Sequence, residues 1–277
     1  MPALNTTGVP KTGDYLLGRG ILYFAELDGS GNPKAWRDLG NVTDFKVTVS
    51  SEELIHETSR SGTKVEDLAV ALKRAANWSA VLDTIENDNL ALFGAATLAA
   101  VTNPAVAGFA EHSAYTSVEL GRWYDIVSST GARAYDIAKA NLTLEKSGSP
   151  DVALVEDTDY TVDEQMGRVF LKSTASNIAA GDTLDITLAA DAGAAANVKE
   201  VRFLQETAIR GALKFVGENP QDGVKFELQL HNVNVEGDGD LGLISDEWVT
   251  LPLKGKVSKS DSTRFTSSPY ASFRTLS

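Results

Sequence analysis

The sequence predicts a mainly β protein, a β-sandwich or barrel with one flanking helix and an added small β module. Turn signals recur about every ten residues, and the stretches between them are rich in β-branched and aromatic side chains. Only one stretch reads well as a helix. Hydrophobic residues make up 43% of the 277-residue chain and charged residues 23%, a balance that supports a folded core.

The elements follow in order. "GILYFAEL" (20–27) is a nearly continuous apolar run, as in a strand covered on both faces, and "DGSGNPKAW" after it is a loop punctuated by Gly and Pro. "DFKVTVS" (44–50) alternates, with Phe45, Val47 and Val49 on one side and Lys46, Thr48 and Ser50 on the other. "SSEELIHETSRSGTKVED" (50–67) is polar, contains Gly, and is too long for a hairpin turn, so it reads as a loop. "VEDLAVALKRAANWSAVLDTI" (65–85) fits two periods. A helix would align Leu68, Leu72, Ala75, Ser79 and Leu82; a strand would align Val70, Leu72, Ala76, Trp78, Ala80 and Leu82, with Arg74 as the exception. "ENDNLALFGAA" (86–96) is the helix, with Asn87 or Asn89 as N-cap and Gly94 near its end.

Further on, "DYTVDEQMGRVFL" (159–171) reads as a hairpin and "DTLDITL" (182–188) as the strand after it. "GALKFVGENPQDGVKFELQLHNVNVE" (211–236) is two strands around an Asn-Pro/Asp-Gly loop, and "EWVTLPLKGKV" (247–257) closes the pattern. Residues 1–17 and 258–277 are polar, Ser/Thr-rich arms, either frayed or ordered against a neighbouring subunit with Phe265, Tyr270 and Phe273 as anchors.

The chemistry is mostly exclusion. There is no cysteine, hence no disulfide framework, thiolate metal site or cysteine nucleophile. His56, His112 and His231 lie far apart and lack metal-motif spacing, and no nucleophile elbow, Walker loop or dinucleotide fingerprint is present. "VEGDGDLGLISDEW" (235–248) imitates a calcium loop through Asp238, Asp240 and Gly242, but Val249 stands where the bidentate Glu belongs. A tight strand–turn–strand is the better reading, and the chain is expected to be a non-enzyme without metal or cofactor. The net charge is −13, steepest across 101–196, and no basic stripe for stable nucleic-acid binding exists. The start has no apolar signal core and no apolar run is long enough to span a bilayer, so a soluble intracellular product is expected.

Taken in order, "GRGILYFAELDGSGNPKAWRDLGNVTDFKV", "EELIHETSRSG", "ENDNLALFG", "GRWYDI", "DYTVDEQMGRVFL", "ALKFVGENP" and "GDLGLISDEWVTLPLKGKV" resemble the tail tube (major tail) proteins of long-tailed bacteriophages. The resemblance runs from about Gly18 to Val257; no single piece is diagnostic, and the ordered set is specific. It implies a structural virion protein, assembled in the host cytoplasm, whose six-membered rings stack head-to-tail into a conduit for double-stranded DNA. It also implies tape measure, tail terminator and distal tail proteins as partners, and a long strand over 65–85.

The residues divide accordingly into a tube core, first part (1–104), an added β module (105–196) and the second part of the core (197–277). Candidate lumen acids are Asp44, Glu52, Glu53 and Asp83, with Lys46, Lys73 and Arg74 in the same stretches. Candidate contacts between rings are Leu54, His56, Phe265, Tyr270 and Phe273. The alternative function is a capsid-decoration or carbohydrate-binding β module.

Overall fold

In a computed structural model, strands take up 50% of the chain and helix 6%, with one α-helix, several antiparallel sheets and no closed barrel among the described residues. The structure describes residues 16, 18–58, 62, 64–220 and 223–276, without the side chain of Leu72. The expected N-terminal arm falls almost wholly outside these residues. The chain forms two compact units, 1–98 with 201–277, and 99–200.

In chain order the first unit contributes β1 (Gly20–Glu26), β2 (Arg37–Asp38), β3 (Val42–Thr58), β4 (Val65–Leu82) and α1 (Asn87–Phe93). A ribbon strand β5 (Thr97–Thr102) follows. The 99–200 unit holds β6 (Phe109–Tyr115), β7 (Arg122–Asp125), β8 (Leu142–Lys146), β9 (Val152–Ala153), β10 (Tyr160–Asp163), β11 (Arg168–Leu171) and β12 (Leu184–Leu188). The strand β13 (Asn197–Arg202) pairs with β5. The first unit resumes with β14 (Ile209–Glu218), β15 (Lys225–Gly237), β16 (Leu251–Val257) and β17 (Ala271–Leu276).

The main sheet runs β2-β1-β14-β15-β16-β4-β3, with β17 added on β15. One edge of β15 therefore serves two strands: Lys225–Leu230 pairs with β17, and Val233–Gly237 pairs with β16. The sheet folds over at this fork. Phe45 on β3 stacks on Phe215 of β14 at 5.8 Å, although three strands separate them in the sheet order. Flat strands spaced about 4.8 Å apart would hold them far out of contact. The stack continues through Phe226 (5.7 Å) to Phe273 of β17 (5.8 Å). Between the layers lie Leu22, Phe24, Trp78, Ala80, Leu82, Leu213, Leu230 and Val233. Trp78 Nε1 donates to the Asn234 carbonyl at 3.1 Å, so the buried indole keeps its polar atom satisfied. Residue 255 must be glycine for this contact, because a Cβ there would stand 1.8 Å from Asn234 O and 2.6 Å from Trp78 Nε1.

Several sequence expectations change. The 50–67 loop is instead the far half of a hairpin, β3 and β4 pairing from Val42↔Leu82 to Thr58↔Val65, and residues 59–61 and 63 of it lie outside the description. Backbone pairing satisfies these residues whether or not a core lies beneath, which their polar sequence hides. The 65–85 stretch is strand β4 through Leu82, and the helix stripe is overruled. Its single-face register is broken: Glu52 faces Lys73 but Glu53 faces Ala71, a bulge at Leu72. Trp78, Ala80 and Leu82 are buried, whereas Val70, like Val49 on β3, is exposed. The turn at 235–248 is not tight, since β15 ends at Gly237 and β16 starts at Leu251.

The helix α1 is capped by Glu86, without a side-chain cap bond, rather than by Asn87 or Asn89. Asn89 is buried instead. Its Nδ2 donates to the carbonyls of Leu39 and Thr84 at 3.0 Å, and its Oδ1 accepts from Arg37 Nη1 at 2.7 Å. It ties the helix to β2 and to the segment after β4 through three bonds, a stronger demand than capping.

The 99–200 unit is a small two-sheet sandwich, β10-β11-β7 and β6-β12-β8-β9, sharing a core of Ile126, Leu144, Val169, Leu171, Leu184, Ile186 and Leu188. Its loops hang on Asp159, which is fully buried. The carboxylate accepts from the backbone N–H of Val155, Ser176 and Asn177 at 2.8–3.0 Å and from Asn177 Nδ2 at 2.8 Å. Burial pushes this carboxyl up, but the hydrogen bonds outweigh it and lower the pKa from 3.8 to about 2.

Asp159→Ala should therefore destabilise the 99–200 unit by about 3 kcal/mol near neutral pH, leaving buried N–H donors unmet. Because the folded pKa is depressed, the wild-type advantage is present above pH 3.8 and is lost as pH falls through about 2. Urea unfolding of both proteins between pH 6 and pH 2 checks this; a constant gap over that range would refute it.

Candidate functional site

The feature that leaves the core is the β3–β4 hairpin. Near its base Phe45, Val47 and Trp78 cover the core, and beyond Ser50 both faces meet solvent. Eight further residues of β3, Ser51 to Thr58, extend it by roughly 25 Å. This distal ribbon carries cross-strand apolar pairs: Leu54 opposite Val70 and Ile55 opposite Ala69, with Leu68 next along β4 opposite His56. Alternation sends Leu54 and Ile55 to opposite faces, and they are 60% and 50% exposed. Polar pairs border them: His56 Nδ1 lies 2.5 Å from Asp67 Oδ1, and Lys64 lies 3.6 Å from Glu57, which faces Glu66 across the ladder. Among the described residues, the outer edge of β3 has no strand beside it in the sheet order. An edge of 17 residues with apolar pairs on both faces is an adhesive surface.

The predicted lumen acids all lie on or beside this hairpin but form no cluster. Asp44 and Asp83 sit at the base; Asp44 pairs with Lys46 at 2.5 Å, and Asp83 Oδ2 accepts from Asn41 Nδ2 at 2.6 Å. Glu52 stands opposite Lys73 halfway out, and Glu53 opposite Ala71. Asp44, Asp83 and Glu52 thus each have a basic or amide neighbour, whereas Glu53 has only the Ser51 hydroxyl, 3.4 Å away.

Two further surfaces flank it in sequence terms. The 238–250 loop is closed by Asp238 N donating to Pro252 O at 2.8 Å and by Lys254 Nζ on Asp238 Oδ1 at 2.9 Å. It holds up Leu243, Ile244 and Trp248, the last two 99% and 92% exposed. Sequence reasoning missed these three, although an apolar triplet in an acidic, Gly-rich turn with no strand period to bury it was the available signal. The C-terminal arm, by contrast, is intramolecular. Phe265 stacks on His231 at 3.8 Å and 13°, Phe273 stacks on Phe226, and the Tyr270 carbonyl accepts from His231 N at 3.0 Å. Phe273, on a strand already paired to β15, and Tyr270, just before that strand, remain about half exposed.

No two histidines come together: His56 is on the ribbon, His112 sits edge-on to Phe109, and His231 lies under Phe265. Asp238 is engaged by Lys254. Among the described residues, the one group of three acids with ligand atoms within 4.8 Å is Glu111, Glu145 and Asp151.

Burial, then the nearby Arg274 charge, lowers the His231 pKa from 6.5, against a smaller opposing pull from Glu227. The neutral ring is the one stacked beneath Phe265. Stability from this contact is therefore full above pH 6.5 and declines as pH falls below it, since the unfolded imidazole binds the proton first. His231→Phe should flatten the stability slope between pH 7 and pH 5 in chemical denaturation; an unchanged slope would show that His231 does not set it.

Among curated proteins none matches this sequence. A family model described as "Protein of unknown function UCP028589" matches residues 15–276, nearly the whole chain and both of its compact units, and the chain belongs to that family.

Proposed function

We propose that this chain is a structural subunit that assembles with copies of itself, forming the stacked six-membered rings of a bacteriophage tail tube through which double-stranded DNA passes. The observation that supports it most is the projecting β3–β4 ribbon, with its free edge and its exposed Leu54, Ile55 and Leu68. An isolated two-stranded ribbon is marginal in water, and covering it by a neighbouring copy removes that cost. Such a contact joins two different patches, so it repeats rather than closing on a dimer, which builds rings and filaments. The exposed Ile244 and Trp248 offer a second anchor of the kind that dominates interfaces.

The role is structural, not catalytic. Tape measure, tail terminator and distal tail proteins enter as partners by the resemblance, and DNA is a transient passenger. A net charge of −13 without a basic stripe suits that passage, because each phosphate held by Lys or Arg would add affinity and slow transit.

Negative-stain imaging and sedimentation of the purified chain test the reading. Wild type should give six-fold rings or tubes, while Leu54→Asp/Leu68→Asp should stay folded and fail to stack, because both residues stand clear of the core. A monomer at high concentration, even with assembly factors, would overturn it, as would an assembled tube in which the ribbon touches no neighbour. Small closed oligomers would favour a capsid-decoration or carbohydrate-binding module instead. An excess of Lys and Arg over Asp and Glu on the inner ring surface would remove the acidic-lumen part alone.

A further inference from the structure

The 238–250 loop carries four acids, Asp238, Asp240, Asp246 and Glu247, and no base. Among them stand Leu243, Ile244 and Trp248, each at least 74% exposed. The foot of the loop borders a second apolar pair: Phe203 and Leu204 line one cleft with Gly237 and Gly239 and are 46% and 84% exposed. These five side chains leave on the order of 800 Å² in contact with water, about one partner's share of a standard interface. The largest apolar patch of a monomer is ordinarily about 300–600 Å².

The same unit carries a receiver for such a loop. A cavity of about 670 Å³ opens between α1, β1 and the start of β14. It is lined by the buried Phe24, Ala91, Leu92 and Ala96, so it is apolar at depth. Its exposed lining residues form a charged rim that includes Lys34, Arg210, Asp88 and Glu206. Lys34 is held by Glu26 at 3.1 Å, and Arg210 is the other exposed base there. The rim is mixed in sign, so the apolar depth supplies the attraction and Arg210 supplies direction.

We propose that this cavity receives the 238–250 loop of a second copy of the chain. The Trp248 indole and the Ile244 side chain seat against Phe24 and Leu92, and the acids beside Trp248 turn toward Arg210. The inference rests on the self-assembly reading above and names one of its contacts. A cavity of about 670 Å³ falls within the range of about 300–1,000 Å³ that encloses a drug-sized group, which an indole with a neighbouring isoleucine side chain is. An aromatic anchor in an apolar pocket ringed by polar groups is also the arrangement that concentrates binding energy. The occupant is a second copy because one chain carries both halves of the contact. Anchor and receiver are different patches, so each pairing leaves a free anchor on one copy and a free receiver on the other, and the contact repeats.

The chain has no cysteine, so introduced thiols report this contact without background. Full-length Leu243→Cys, on the loop, and Ala35→Cys, on the cavity wall, both alter exposed positions and are checked for folding by thermal melts. Mixed and treated with a bismaleimide, the two variants should give a crosslinked dimer at least about tenfold more abundant than either alone. The double variant should give a ladder of higher multiples. Adding Trp248→Ala should cut the yield at least about tenfold, whereas Trp123→Ala, an exposed tryptophan of the 99–200 unit, should not. Leu243→Cys joining itself in preference to Ala35→Cys overturns the pairing, as does crosslinking confined to single chains of the double variant or a yield that Trp248→Ala leaves intact. Six-fold rings or tubes without the crosslink overturn this contact and leave the self-assembly reading standing. Crosslinked ladders without six-fold symmetry keep the contact and overturn the tube, and a chain that stays monomeric at high concentration overturns both.

Discussion

The backbone ladder between β3 and β4 is the constraint on which most of the first unit depends. It runs from Val42↔Leu82 to Thr58↔Val65, and each pair satisfies its own N–H and C=O groups without reference to a core. The same two strands can therefore be a wall of the sandwich at one end and a free ribbon at the other. At the wall end Trp78, Ala80 and Leu82 are buried, and β16 pairs with β4 along Leu251–Val257. At the free end the described residues place no layer over the apolar pairs, and Leu54, Ile55 and Leu68 stay exposed. The bulge at Leu72 falls between these two regimes.

The remainder of the unit closes around β15. Its shared edge lets β16 lead toward the hairpin while β17 covers Phe226, so the C-terminal residues complete the sheet instead of trailing from it. The run of phenylalanines from Phe45 to Phe273 records that closure, each ring meeting the next at under 6 Å. Buried polar groups then hold the irregular segments. Asn89 in the first unit and Asp159 in the second each satisfy several backbone groups at one point, which aromatic or aliphatic residues could not do.

Two kinds of surface result. The first unit presents exposed apolar residues, together with Asp44, Asp83 and Glu52 matched by Lys46, Asn41 and Lys73. The 99–200 unit brings Glu111, Glu145 and Asp151 together, each with a carboxylate oxygen within 4.8 Å of the others, beside a sheet whose other face packs into the core. Part of the steep negative charge of 101–196 is gathered at this one place.

The sequence by itself determined the class and much of the strand list. "GILYFAEL", the 159–171 hairpin, the strand at 184–188 and the pair around 219–224 all carry periods or turn residues that act locally, within a few bonds of where they are read. The one helix was legible for the same reason, although not its cap, because Asn89 answers to Leu39 and Arg37, far away in the chain. Only the tertiary structure decided the rest. Polar residues 50–58 and 65–67 became strand because their partners were fixed by the register begun at Val42, and periodicity cannot report a strand with neither face buried. The fork at β15, the docking of Phe265 on His231 and the gathering of Glu111, Glu145 and Asp151 all depend on contacts distant in sequence. Such contacts are set by which strands lie side by side, and that choice is made by the packing of the whole sheet rather than by any segment within it.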